Sequence, residues 1–391
     1  MSVLFLSSEP TSSPAIAVHA MVARFFATER VAVHVLYERL AATEPYAAKS
    51  PIPLFPADCD FRPGDFGPRG GPVAAQVRAG FALLRGLVAS VRYVRRNRID
   101  IVYCDGRNRS VLFGYALARL AGAHCVVGFH SKYGSWLIPP SRFAINHSDA
   151  VVAVSDWTAG SLAAGGVSPE RIHAVLNGID VDAWSPSEAE PERVRLELGI
   201  AGDSPLIVCV AQIVSWKRQL LLIEAFGRLL ASRPSATLMI VGDVQHPEVD
   251  ETGTTYLEQV RRRIVDVGAE GRVVLAGRRR DVRDVLAAAD VVSLPSVDDP
   301  APLAVIEAMA MGKPVVVADA GGAPELLDGG NAGVIVPRDD VDALSSALAE
   351  LLDNPLRREQ IGKAARTRAI EHLNARRVAD EVEMVCRSVL G

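Results

Sequence analysis

Six short apolar runs, PLIVCVAQ, ATLMIVGD, RVVLAG, DVVSLPS, PVVVAD and AGVIVP, punctuate the second half of this sequence, and a helix-like stretch follows each. The first half has the same rhythm: SVLFLS, a helix from about Ala15, VAVHVL, a helix over 73–97, IDIVYC, a helix from about Val111, CVVGFH, DAVVAVS and IHAVLN. Strands that alternate with helices predict parallel sheets with helices on both faces. The fold class is therefore α/β, with two doubly wound parallel-sheet (Rossmann-like) domains facing a cleft. The Pro-, Ser- and Glu-rich stretch DAWSPSEAEPE, from Asp182 to Glu192, marks the junction. We expect domains over 1–185 and 186–374, and a terminal helix over 375–391 that crosses back to the first domain. Pro51 to Pro72, rich in Pro and Gly, reads as a surface loop or flap.

A length of 391 residues suits two such domains, and 49% hydrophobic and 23% charged residues are ordinary for a globular protein. A net charge of -4 argues against a general nucleic-acid binder. Lysine is scarce, 5 against 37 arginines, which reads as codon bias. Five cysteines without CxxC spacing fit a reduced, cytoplasmic interior. MSVLFLSSEP lacks a basic start and reads as a buried strand rather than a signal peptide, and no apolar run has the length of a membrane span.

The segment from Pro295 to Ala318, PSVDDPAPLAVIEAMAMGKPVVVA, is the most informative about chemistry. Asp299 falls in the loop after strand DVVSLP, and Glu307 one turn into the next helix, with seven positions between them. Both would lie at the carboxyl end of a parallel sheet, where open α/β sheets bind ligands. Ionised carboxylates accept strong hydrogen bonds from sugar hydroxyls, and helix N-terminal amides attract phosphate. A nucleotide sugar needs both. Pro300 and Pro302 lack amide donors, so loop contacts fall to Ala301, Leu303 and Ala304. Asp298 is the alternative to Asp299; a bare DDP turn and a helix-dipole glutamate are the plain readings.

In order along the chain, AVSDWTAGSLAAGGVSPERIHAVLNGIDVDAW, VAQIVSWKRQLLLIEAF, GRRRDVRDVLAAADVVSLPS and the acidic segment resemble the GT-B glycosyltransferases, specifically the large retaining family 4. The resemblance spans nearly the whole chain and implies the GT-B architecture. It implies that Glu307 binds the ribose and that Asp299, where the family has Glu, touches the donor sugar. Lys217 matches the lysine that clasps the pyrophosphate, and Gln212 stands where the family has Arg. His130, at the end of CVVGF, matches a histidine that contacts the sugar and stabilises the transition state. Arg279, within Arg278 to Asp281, lies where relatives meet the nucleobase. The family's Gly-Gly loop is replaced by PTSSPAIAVH, in which Ser12, Ser13 or the amide of Ala15 would serve. Asp105, Arg107 and Asn108 follow strand IDIVYC and would face the acceptor. The resemblance places Asn177, in NGID, near the cleft with these residues; the preferred reading of the motif is a structural turn with Gly178 at positive φ.

These readings converge on a retaining hexosyltransferase that moves a hexose-type sugar from a nucleotide-diphosphate donor, UDP-sugar favoured, to a hydroxyl of a small polar acceptor. No metal and no cofactor are expected, since the nucleotide sugar is a co-substrate. Oligomeric state is open. The helix over 73–97 carries Arg78, Arg85, Arg92, Arg95 and Arg96, with Phe81, Leu84, Val88 and Val91 assigned to the core. A solvated face is preferred there to membrane association, which leaves a peripheral-membrane enzyme with a lipid-linked acceptor as the alternative. A catalytically weak nucleotide-sugar-binding regulator is the rival from another class.

Overall fold

Among the described residues of this computed structural model the named strands pair in parallel throughout, in two separate six-stranded sheets. The structure describes residues 1–7, 22–26, 31–37, 73–200, 204–244 and 248–391. The helix start near Ala15, Ser12, Ser13, Ala15 itself and the stretch Pro51 to Pro72 lie outside them. Two units divide the chain, Met1–Asn177 with Ala375–Gly391, and Gly178–Asn374. The junction thus falls at 177/178, against 185/186 in the sequence reading. Segment 178–185 belongs with the second unit because its backbone is fastened there: Arg366 donates to the carbonyl of Trp184 at 2.7 Å, and Ile179 N–H to that of Leu373 at 2.9 Å.

In the first unit β1 (Ser2–Ser7), β2 (Ala32–Tyr37), β3 (Ile101–Asp105), β4 (His124–Phe129), β5 (Ala150–Ala153) and β6 (Ile172–Ala174) are ordered β2-β1-β3-β4-β5-β6. β1 and β3 are buried at every residue, which accounts for their unbroken apolar runs: parallel strands are covered on both faces. The helix Asn108–Ala121 starts earlier than the Val111 expected from periodicity, with Arg107 at its N-cap and no side-chain capping bond to signal the start. The last helix, Ala375–Ser388, packs on β5. It buries Ala375, Val378, Ala379, Val382, Val385 and Cys386, spaced as one helical face. Arg376 places its guanidinium 5.5 Å from the ring of Phe25.

The long helix Val73–Arg96 corrects one expectation. Leu84 and Val88 are 56% and 42% exposed, whereas Ser90 and Val94 are buried. Of the four residues assigned to the core, Leu84 and Val88 stand outside beside the exposed Arg85 and Arg92, Val91 is half-buried against the core as expected, and the Phe81 side chain lies outside what the structure describes.

The second unit holds β7 (Leu206–Val210), β8 (Thr237–Val241), β9 (Val273–Leu275), β10 (Val291–Leu294), β11 (Val315–Ala318) and β12 (Val334–Val336), ordered β12-β11-β10-β7-β8-β9. Counting from β7, this is the dinucleotide-fold order 3-2-1-4-5-6. The strand order reverses between β7 and β10. In the first unit it reverses between β1 and β3. Loops leaving neighbouring strands at such a point diverge to opposite sides of the sheet, and the gap between them is where these folds bind ligands.

Candidate functional site

After β7 the chain runs through Ala211 to Val214 into a short 3-10 turn, Ser215–Lys217. Two contacts hold this loop from behind. Gln219, fully buried, donates through Nε2 to the carbonyl of Gln212 at 2.7 Å. Gly242, at the end of β8, lies so close that a Cβ there would sit 1.8 Å from the Ala211 carbonyl oxygen, and its φ of +145° suits glycine alone. Gln212 itself is half-buried and contributes its backbone to this arrangement.

The loop after β10 is fixed to the first one and to the next strand connection. Val297 N–H donates to the carbonyl of Trp216 at 3.0 Å, which joins the two loops at the switch point. Asp299 accepts through its carbonyl from Gly322 N–H at 2.9 Å, and a Cβ on Gly321 would fall 2.3 Å from the same oxygen at a φ of +64°. The main chain of Asp299 is therefore clamped. Its carboxylate accepts from the ammonium of Lys217, with the two side chains only 8% and 11% exposed. The ring of Trp216 lies 4.3 Å from Lys217 Nζ, a cation–π contact that keeps the ammonium over the loop. Removing either partner of a buried pair leaves an uncompensated charge and costs about 3–5 kcal/mol. Asp298, by contrast, is exposed.

Helix Leu303–Ala310 follows, with Pro302 at its N-cap and no side-chain capping bond, so the amides of Leu303 and Ala304 precede the first intrahelical bonds. Ala301 is buried, and Leu303 and Ala304 are half-buried. Glu307 lies just over one turn in. Part of the residue reaches solvent, but its carboxyl is set among protein atoms, and this desolvation pushes its pKa up to about 7.

Arg279 is engaged elsewhere. Its guanidinium donates to Glu197 at 2.5 and 2.8 Å and to Asp281 at 2.6 and 2.9 Å, so a nucleobase would compete with two carboxylates for it. These bonds hold the Asp281 carboxyl far below its ordinary range.

At the switch point of the first unit Asp105 is 1% exposed. It accepts from Ser7 Oγ at 2.5 Å, from Ser110 Oγ at 2.8 Å and from the amide of Arg107 at 3.0 Å. Burial raises its pKa, against the pull of these donors. With so little surface Asp105 ties β1, β3 and the next helix together rather than presenting itself to a solute. Asn108 also works within the fold, donating to the carbonyl of Trp136 and accepting from the amide of Ile138, both at 3.1 Å. Arg107 is exposed, 5.7 Å from the ring of Trp136. His130 directly follows β4 and is half-buried. Asn177, 6% exposed, ends the first segment of this unit, and Gly178 does not adopt the positive φ expected of it.

Sequence reasoning missed Trp216, Gln219, Gly242 and Gly321. The glycines at the ends of VGD and DAGG were a usable signal, because glycine just after a buried strand often marks close backbone approach. Among the described residues no group of three or more His, Cys, Asp or Glu is placed to hold a metal ion, and no helix is long and apolar enough to cross a membrane.

Two doubly wound parallel domains, with paired lysine and carboxylate at the second switch point and a glutamate on the following helix, define a GT-B-fold sugar transferase. The "Glycosyl transferases group 1" family matches residues 191–368, and "Glycosyltransferase Family 4" matches residues 18–183. A GDP-mannose-dependent alpha-(1-6)-phosphatidylinositol monomannoside mannosyltransferase from Mycolicibacterium smegmatis is 31% identical over 296 residues, 72% of this chain and 74% of that protein. Among solved structures, a glycosyltransferase from Rickettsia africae aligns with a TM-score of 0.80 at 17% identity, covering 100% of this chain and 98% of its own. HepE from Anabaena, in complex with UDP, aligns at 0.76 with 20% identity, over 99% and 100% of the two chains. The chain belongs to the group 1 glycosyltransferases, GT-B enzymes of the retaining type that use a nucleotide-diphosphate sugar and a sugar or other polar acceptor.

Proposed function

We propose that the second domain, 178–374, binds the donor, that the first binds the acceptor, and that a hexose-type sugar passes from a UDP-sugar to a hydroxyl of a small polar molecule. The observation that carries this reading is the Lys217–Asp299 pair at the switch point of the second sheet. Lys217 supplies positive charge for the diphosphate as it departs, Glu307 accepts from the ribose hydroxyls, and the amides of Leu303 and Ala304 face the phosphates. Asp299 is one methylene shorter than glutamate and meets the donor sugar. In the first domain His130, directly after β4, is our candidate for a sugar contact, and the exposed Arg107 is our candidate for the acceptor. The donor-site chemistry requires no cofactor.

A second reading changes donor and acceptor. The mycolicibacterial relative uses GDP-mannose and a phosphatidylinositol glycolipid, and in this chain Leu84 and Val88 stand exposed beside Arg85 and Arg92 on the long helix. A basic face with apolar side chains suits an anionic membrane that carries such an acceptor.

The test is a thermal-shift panel of UDP-, GDP-, ADP- and dTDP-sugars, with and without magnesium, beside co-sedimentation with anionic vesicles at low and high salt. A selective shift by a UDP-sugar without vesicle binding supports the first reading. GDP-mannose stabilisation with salt-sensitive vesicle binding supports the second. No shift with any sugar nucleotide sinks the donor-site assignment.

A further inference from the structure

We infer that Asp299 is the internal counter-ion of Lys217 in the donor-free enzyme, that the donor's diphosphate displaces it, and that its return to Lys217 helps expel the nucleoside diphosphate after transfer. The inference rests on the donor-site reading above and adds to it a second task for Asp299, distinct from contact with the sugar.

Lys217 is 9% exposed and Asp299 6%, so the ammonium has little water to solvate it and needs an anion within reach. Asp299 is the carboxylate in salt-bridge contact with it. Gln212, where the family carries Arg, brings no charge, and Arg218 is paired with Asp339 at 2.9 Å, so Lys217 is the buried cation that these two loops can offer to a diphosphate. A phosphate held by the same Nζ would lie at contact range of the Asp299 carboxylate, and two anions so placed repel. Full engagement of the diphosphate therefore requires the Asp299 side chain to leave.

The backbone contacts around Asp299 assign that departure to its side chain. Gly322 N–H holds the Asp299 carbonyl, and Gly321 lies against the same oxygen with no room for a Cβ, so two close backbone contacts anchor the loop there. The carboxylate leaves by rotation about its side-chain bonds while the main chain stays fixed. Trp216 keeps Lys217 in place meanwhile, through its ring and through the bond from Val297 N–H to its carbonyl. With a sugar on the nucleotide, the released carboxylate gains hydroxyl partners. After transfer those partners are gone, and Lys217 is again the best site open to Asp299. The enzyme should therefore hold the sugar nucleotide better, relative to the bare diphosphate, than Lys217 alone would dictate.

The experiment measures Kd by calorimetry for UDP, GDP, their hexose conjugates and inorganic pyrophosphate, on the wild type, Asp299→Asn, Asp299→Ser and Lys217→Met, with thermal melts to confirm folding. Close charge pairs couple strongly enough that Asp299→Asn should bind nucleoside diphosphate and pyrophosphate roughly tenfold tighter than the wild type, with a smaller gain for the sugar nucleotide. Asp299→Ser should behave alike and serves if the asparagine variant does not fold. Lys217→Met should bind all of them weakly. If both Asp299 variants bind the bare diphosphate no tighter while Lys217→Met loses affinity, the counter-ion inference is overturned and the donor site stands. If Lys217→Met binds as well as the wild type, or no protein binds nucleotide, the donor-site reading falls and this inference with it.

Discussion

At the reversal of strand order in the first domain, a buried carboxylate, Asp105, is met by two serine hydroxyls and an amide. At the corresponding place in the second domain a buried carboxylate, Asp299, is met by an ammonium. The positions are topologically alike, each at the carboxyl ends of the two strands where the winding changes direction. Neutral donors fixed by their own strands and helix make the first network complete without a ligand, and it joins β1 to β3. Two opposite charges on separate loops pair with each other, so an incoming anion can exchange with one of them. Location in a doubly wound sheet thus marks where binding is possible, and on the proposed reading the charge state of the partners separates the donor site from a structural knot.

Lysine removal should break this comparison most sharply. Lys217→Ala leaves Asp299 buried and unpaired, so we expect a loss of about 3–5 kcal/mol by chemical denaturation. Transfer rate should also fall on the order of a hundredfold to a thousandfold in steady-state assays. Asp105→Asn should cost only about 1–3 kcal/mol and leave the donor Kd unchanged. Equal losses of donor affinity in the two variants would erase the distinction between the sites.

Next comes the backbone clamp. Gly321→Ala forces a Cβ against the Asp299 carbonyl at a positive φ, and a displacement of about 1 Å at the site can cost on the order of a hundredfold in rate. The expected outcome is a fall in kcat of that size, with a loss of roughly 2–3 kcal/mol in stability. A variant of normal kcat would show that Asp299 need not be held.

The smallest effect is a pH dependence with two opposed signs. The Glu307 carboxyl is pushed up to about 7 in the folded protein, above its ordinary value in the unfolded chain. The folded state therefore binds more protons between those values, and this group's contribution to stability is greatest at low pH and declines as pH rises through about 7. Donor affinity should move the other way across the same interval, by less than about tenfold, because the ionised carboxylate is the stronger acceptor for ribose hydroxyls. Glu307→Gln should flatten both profiles in melting and titration experiments. Parallel rather than opposed trends in the wild type would remove Glu307 from the donor site.

Much of the fold was readable in the sequence because parallel strands covered on both faces must be apolar throughout, as in LIVCV of β7 and VVVA of β11. The ordered motifs singled out Lys217, Asp299 and Glu307 as candidates for the proposed donor site. Their pairing was not readable, since Lys217 and Asp299 are 82 residues apart and meet only because β7 and β10 are neighbours. Gln219 and Trp216 were hidden for a related reason: a buried amide and a half-buried indole reveal their partners only in three dimensions. Leu84 and Val88 show the limit of periodicity, which finds an apolar stripe without saying what covers it. Asn108 was misplaced ahead of its helix because the N-cap there carries no side-chain bond that would mark it.

The discontinuity of the first unit has a consequence for biosynthesis. Residues 1–177 leave the ribosome well before 375–391, the segment whose helix packs on β5. At about 5–20 residues per second the intervening chain takes roughly 10–40 s to make. The second unit, contiguous in sequence, is complete first, and the first waits for its last helix with the surface for Val378, Val382 and Val385 uncovered. Nascent chains halted before residue 375 should therefore yield a protease-resistant second unit and an early vulnerable first one, the reverse of the order in which they were begun.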